Sequence, residues 1–286
     1  MAEQDFKLSY KGEVFSTGLI IPDKIPLSFA EYPVAQVHEL AALKKIYSAP
    51  GRKLAVDIYK RRKNQGRKSS CAAYAGTTVC EAKRAFDRKE DAEFGPEWTY
   101  CQVNGGRDGG ALLDEVMKQL LEKGCCLRGS VPYEIHTLSG MNMEQKRFAA
   151  QQAMEYRALD WHTLPIQNLE ACWAATLSSI ANRDPVLMAV HCGDGFFSAD
   201  GQGNAKVDRG PGNHAVCGVE LVGVESAKSL RDIKIITINS HGQRYGKDGC
   251  YLHTYDHIAG PVQYHQHCAC RSMRTSPDEK ISTLLA

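Results

Sequence analysis

The chain has 286 residues, with 35 Lys and Arg against 33 Asp and Glu, a formal charge of +2. That balance argues against a protein held to nucleic acid by phosphate charge. Hydrophobic residues make up 43% and charged ones 24%, a globular composition able to bury a core rather than a disordered one. No run approaches the roughly 18 apolar residues of a membrane span; the densest, such as Pro185-Val-Leu-Met-Ala-Val190, have strand length. The opening Met1-Ala-Glu-Gln-Asp-Phe-Lys lacks the basic start and apolar middle of a secretory signal, so a cytoplasmic protein without a membrane partner is expected. The eleven cysteines are odd in number and form no paired framework; they are read as reduced thiols.

Residues 1–50 read as an arm or cover: a turn-rich lead-in, then a helix with Val37, Leu40, Leu43 and Tyr47 on one face, stopping near Pro50-Gly51. After the polar stretch from Asn64 to Ser70, Cys71 opens a helical pattern to about Phe86, with Ala75, Val79, Ala82 and Phe86 on one face and Ser69 or Ser70 able to cap it. The glycine-rich loop Asn104-Gly-Gly-Arg-Asp-Gly-Gly110 leads into an amphipathic helix carrying Leu112, Leu113, Val116, Leu120 and Leu121 and ending at Gly124. Beyond Met154 strand-like runs take over: Tyr156–Leu159, Val186–Val190, Ala215–Val224, Ile233–Ile238 and Cys250–Thr254, with one further helix around Asn168–Ile180. The expected division is an arm over 1–50, a helical lobe over 51–155 and a β-rich lobe over 156–286, in the α+β class.

A cysteine at a helix N-terminus feels the positive end of the helix dipole, which favours its thiolate. Among the eleven, Cys71 is therefore the candidate nucleophile, although a lone buried cysteine is more often structural. Gln65, six residues earlier, can aim its amide at the same point as the Cys71 backbone N–H, making a two-donor oxyanion hole. His214, in Gly210-Pro-Gly-Asn-His-Ala-Val216, stands at the mouth of a strand and can exchange a proton with a thiol near neutral pH. Asn239, at the end of Ile236-Thr-Ile-Asn, can hold that imidazole as third member of a triad.

These segments, in this order, resemble the papain-like cysteine peptidases. The resemblance rests on Asn64-Gln65-Gly66 with Cys71, on Asn104-Gly-Gly106, on Pro185-Val186, on Asn213-His214-Ala215-Val216, and on Asn239-Ser240, Gly242, Tyr245-Gly246 and Gly249-Cys-Tyr251, spanning about two thirds of the chain. It implies a papain-like two-lobe fold, a helical left lobe and a β-barrel-like right lobe with a cleft between them. It further implies a peptidase acting on protein or peptide substrates through a Cys71 thioester, with His214 as base and acid, Asn239 as orienter and Gln65 as oxyanion donor. Gly106, in a substrate-binding loop with Gly105, would pair with substrate backbone; Arg107 and Asp108, with Ala189 and Asn213 opposite, would line a polar specificity pocket, and His241 would cover part of the His214–Asn239 bond; no metal or cofactor is implied.

The sequence departs from the family at several points. Ala72 and His241 stand where the family has tryptophans, and Lys68 stands where its secreted members have a cysteine. The lead-in is roughly half the usual inhibitory pro-segment and lacks its long charged helix. The lost tryptophans keep open a second reading, a catalytically silent papain-fold protein that binds a partner. Other motifs are weaker: the glycine loop has no phosphate-binding pattern, and the His257, His265, His267, Cys268, Cys270 tail lacks a strong zinc spacing and reads as a packed or surface tail.

Overall fold

The computed structural model describes residues 7–10, 13–16, 37–87, 91–164, 168–207, 212–258 and 268–273. A hairpin of β1 (Lys7–Tyr10) and β2 (Glu13–Ser16) precedes α1 (Leu40–Tyr47) and the short α2 (Ala55–Ile58). The long helix α3 (Cys71–Phe86) follows, then β3 (Phe94–Gly95), α4 (Pro96–Val103), α5 (Leu113–Glu122), β4 (Cys126–Leu127) and α6 (Met143–Glu155). Strands then dominate: β5 (Ala158–Thr163), β6 (Val186–Cys192), β7 (Gly212–Val222), β8 (Lys234–Ile238), β9 (Cys250–His253) and β10 (Cys268–Met273). Helices α7 (Leu169–Ala181), α8 (Asp194–Phe197) and α9 (Tyr255–Ile258) lie between them in the chain. The expected change of texture falls at the step from α6 to β5.

The six later strands form one antiparallel sheet in the order β5-β10-β6-β7-β8-β9. Strand β10 therefore runs between β5 and β6, so part of the His/Cys tail is an interior strand of the sheet. His265 and His267 lie outside the described residues, as does most of the lead-in, 17–36 included. Among the described residues no cluster of three His, Cys, Asp or Glu could hold a metal ion, and no helix is long and apolar enough to cross a membrane.

Helix α3 departs from the one-sided stripe its pattern suggests: Cys71 to Arg84 are all buried. It is wedged between α4 and α5 on one side and the sheet strands β7 and β10 on the other, so a single apolar face would not suffice. Small side chains permit the approach. A Cβ built on Gly76 would lie 2.5 Å from Val116 Cγ1 of α5, closer than two carbons can pack. Two of the charges this helix carries inward, on Glu81 and Lys83, are paired, as burial demands. Glu81 meets Lys63 Nζ at 2.9 Å and accepts from Tyr59 and the Phe94 amide, while Lys83 reaches Asp184 at 2.9 Å.

The arm is bolted to the sheet by another buried carboxylate. Glu220 of β7 accepts from Tyr47 Oη (2.5 Å), the Ala55 amide (2.6 Å) and Arg183 Nη1 (3.1 Å). Of the longer helices, α4 and α6 are not expected from the pattern. Only Ala149 and Ala153 of α6 are buried, too small a stripe to register as an amphipathic period. Its start is nonetheless signalled by a capping box, Asn142 accepting from the Gln145 amide and Gln145 from the Asn142 amide.

Candidate active site

The segment leading into α3 is stitched to the chain beyond β8. Gln65 N donates to Ser240 O (2.7 Å), Gly242 N donates to Lys63 O (2.8 Å), and Asn64 and His241 form an isolated bridge. The turn at Gly66 needs a left-handed backbone, φ +61°, and the Asn64 side chain accepts from the Gly66 amide at 3.0 Å. Gln65 is fully buried. Its carbonyl oxygen accepts from Ser240 Oγ (2.5 Å) and its amide nitrogen donates to Lys68 O (2.7 Å), so this carboxamide is held rigidly beside the start of α3.

Cys71 opens α3 and is 0% exposed. The serine cap expected before it does not form. Ser70 occupies the N-cap position with φ −106° and ψ 14°, outside the extended region from which a cap side chain loops back to the helix amides, and its Oγ is buried without a hydrogen bond among the described residues. Ser69 instead donates its amide to Asp108 Oδ1 at 2.9 Å, and Tyr100 Oη donates to the same oxygen at 2.5 Å. Asp108, on the glycine-rich loop, thus ties that loop to the Cys71 turn.

The imidazole of His214, on β7, is wholly buried, and Nε2 lies 2.8 Å from Asn239 Oδ1. The same oxygen accepts from the Ser240 amide at 2.8 Å, and Nδ1 of His214 has no hydrogen bond among the described residues. Burial pulls the His214 pKa down to about 4, against a raising contribution from the Asn239 bond. His241 stacks on His214, centroids 5.0 Å apart and planes at 13°. It lies against Phe197 as His214 lies against Phe196. Burial first, and then His214, hold His241 well below the ordinary histidine range.

The structure therefore gathers Gln65, His214, Asn239 and His241 into one hydrogen-bonded and stacked group through Ser240. Cys71 shares a buried cluster with Ala189 and with Ala215, the neighbour of His214. Gly105 and Gly106 are exposed at φ +63° and +81°, and Arg107 is exposed beside them. The Asn213 backbone pairs with His191 across β6 and β7; its side chain lies outside what is described. Sequence reasoning passed over Ser240, which clamps Gln65, although it stands in the quoted Asn-Ser pair. It also passed over Phe196-Phe197, which carry no motif.

Burial acts on several of the other thiols. It raises the pKa values of Cys101, Cys126, Cys172 and Cys250, to about 11 for Cys101 and about 12 for Cys172.

No family model matches the sequence, and no curated protein matches it. The fold has clear counterparts. Xylellain, a cysteine protease from Xylella fastidiosa, superposes with a TM-score of 0.65 at 16% identity, over 90% of this chain and 96% of its own. The bromelain protease from Ananas comosus, solved in complex with the E64 inhibitor, gives a TM-score of 0.53 at 15% identity, over 84% and 100%. Digestive procathepsin L 3 of Tenebrio molitor larval midgut gives 0.53 at 16%, over 87% and 74%. The chain has the papain-like fold shared by these cysteine proteases.

Proposed function

We propose that the chain is a cysteine peptidase that cleaves protein or peptide substrates through a Cys71 thioester. The observation that carries this reading is the His214 to Asn239 bond at 2.8 Å, which leaves Nδ1 of a buried imidazole without a hydrogen bond among the described residues. With Nε2 donating to the carboxamide, Nδ1 holds the lone pair and can take the Cys71 proton. The thiolate adds to the carbonyl, the oxyanion is met by the Cys71 amide and Gln65, and His214 returns the proton to the departing amine. Water then cleaves the thioester with His214 as base.

The second reading, a papain-fold protein that binds without cleaving, is favoured by the complete burial of Cys71. For the first reading to hold, substrate must displace whatever overlies the sulfur. Hydrolysis of a fluorogenic peptide mixture separates the two: turnover by the full chain that falls by roughly 10³-fold or more in Cys71→Ala supports the peptidase. Unchanged or absent turnover in both proteins supports the binder.

A further inference from the structure

We infer that His241 is a positioning residue whose unprotonated Nδ1 fixes the Asn239 carboxamide, and through it the proton arrangement of His214. The inference rests on the peptidase reading for its kinetic consequence, but its geometry is independent of it.

The argument starts at Ser240. A backbone N–H can only donate, so the Asn239 side-chain atom it meets at 2.8 Å is the carbonyl oxygen. The other end of the carboxamide is then an NH2 group, which donates and does not accept. It faces Nδ1 of His241 at 3.3 Å, so that nitrogen must carry the lone pair. At the oxygen end, Nε2 of His214 must carry its proton to make the 2.8 Å bond. One carboxamide therefore dictates the tautomers of two imidazoles. An indole in place of His241 would cover the same pair but has only an N–H donor, and could not accept from Asn239.

Protonating His241 breaks this order twice. An Nδ1–H would oppose the NH2 group, pushing the carboxamide away from its bond to His214. It would also place a positive ring 5.0 Å from the ring that must itself become positive when it takes the thiol proton. The surroundings keep His241 neutral. From β7 it faces His214. From the segment before α3 it is bridged to Asn64, while Lys63, next in sequence, directs its ammonium to Glu81 and Thr77 on α3. From α8 it meets the uncharged Phe197 ring, beyond which Tyr245 donates to Glu13 and Arg244 pairs with the same carboxylate.

The test uses the full chain. Nitrogen-15 spectra of the histidine rings at neutral pH should show His241 with Nδ1 unprotonated and Nε2 protonated. His241→Phe, which keeps a ring but removes the acceptor, should lower kcat about tenfold with KM little changed, and should remove one proton from the acid limb of the kcat profile. A protonated Nδ1 on His241, or a His241→Phe enzyme with wild-type kcat and acid limb, overturns the inference. If the wild-type chain hydrolyses no peptide, the peptidase reading fails instead, and the ring spectra still decide the arrangement of His241.

Discussion

The two sides of the site are held by different physics. The Cys71 side is fixed by shape: a helix of small residues buried on every face, with Gly76 at the point where α3 meets Val116 of α5. The His214 side is fixed by polarity: two stacked imidazoles, one carboxamide and a backbone amide, each in a required protonation state and shut away from water. Steric order responds to volume and is indifferent to pH. Hydrogen-bonded order among buried imidazoles is the reverse.

Acid should make the larger difference. His214, His241 and His253 are each pushed below the ordinary value of 6.5 by burial, His214 to about 4. Above pH 6.5 both folded and unfolded forms leave these rings neutral. As pH falls below 6.5 the unfolded chain takes up protons that the folded one refuses, so stability drops, by on the order of 1.4 kcal/mol per pH unit for each such ring. For His214 the loss is complete below about pH 4. Chemical denaturation at pH 7.5 and pH 5 should show the midpoint falling sharply; a midpoint that holds or rises would mean that the imidazoles are not buried neutral.

The smaller effect is on the other side. On an open helix face Gly76→Ala would gain about 1 kcal/mol of helix propensity. Here the new methyl meets the stiff β-branched Val116 at 2.5 Å, and overpacking wins, leaving a net loss of about 1–2 kcal/mol. The same loss should appear at pH 7.5 and pH 5, which separates it from the histidine effect. A stabilised variant would show that α3 and α5 are less tightly seated than described.

Legibility in the sequence follows the same division. Helix α3 was readable to its boundaries, since Cys71 follows a polar turn and the apolar period runs unbroken to Phe86. Its all-round burial was not, because periodicity reports one face and cannot count the layers packed against it. On the sheet side β8 and β9 were readable as short strand-like runs between turns, whereas β10 was hidden in a Cys-rich tail whose pairing with β5 and β6 is set only by long-range register. Strand β5 begins at Ala158 and not at Tyr156, since Tyr156 serves as the C-cap of α6. Individual polar residues were legible through the family resemblance; the stack of His241 on His214 and the Ser240 clamp on Gln65 arise only from three-dimensional closure.

The central claim is that Cys71 is chemically singled out by His214. Its most direct test is the mapped rate of modification by a thiol-directed epoxide at neutral pH, compared across the described cysteines. The account predicts selective labelling of Cys71, abolished in Cys71→Ala and strongly reduced in His214→Ala. Labelling of Cys71 no faster than of the other thiols, or unaffected by His214→Ala, would contradict it.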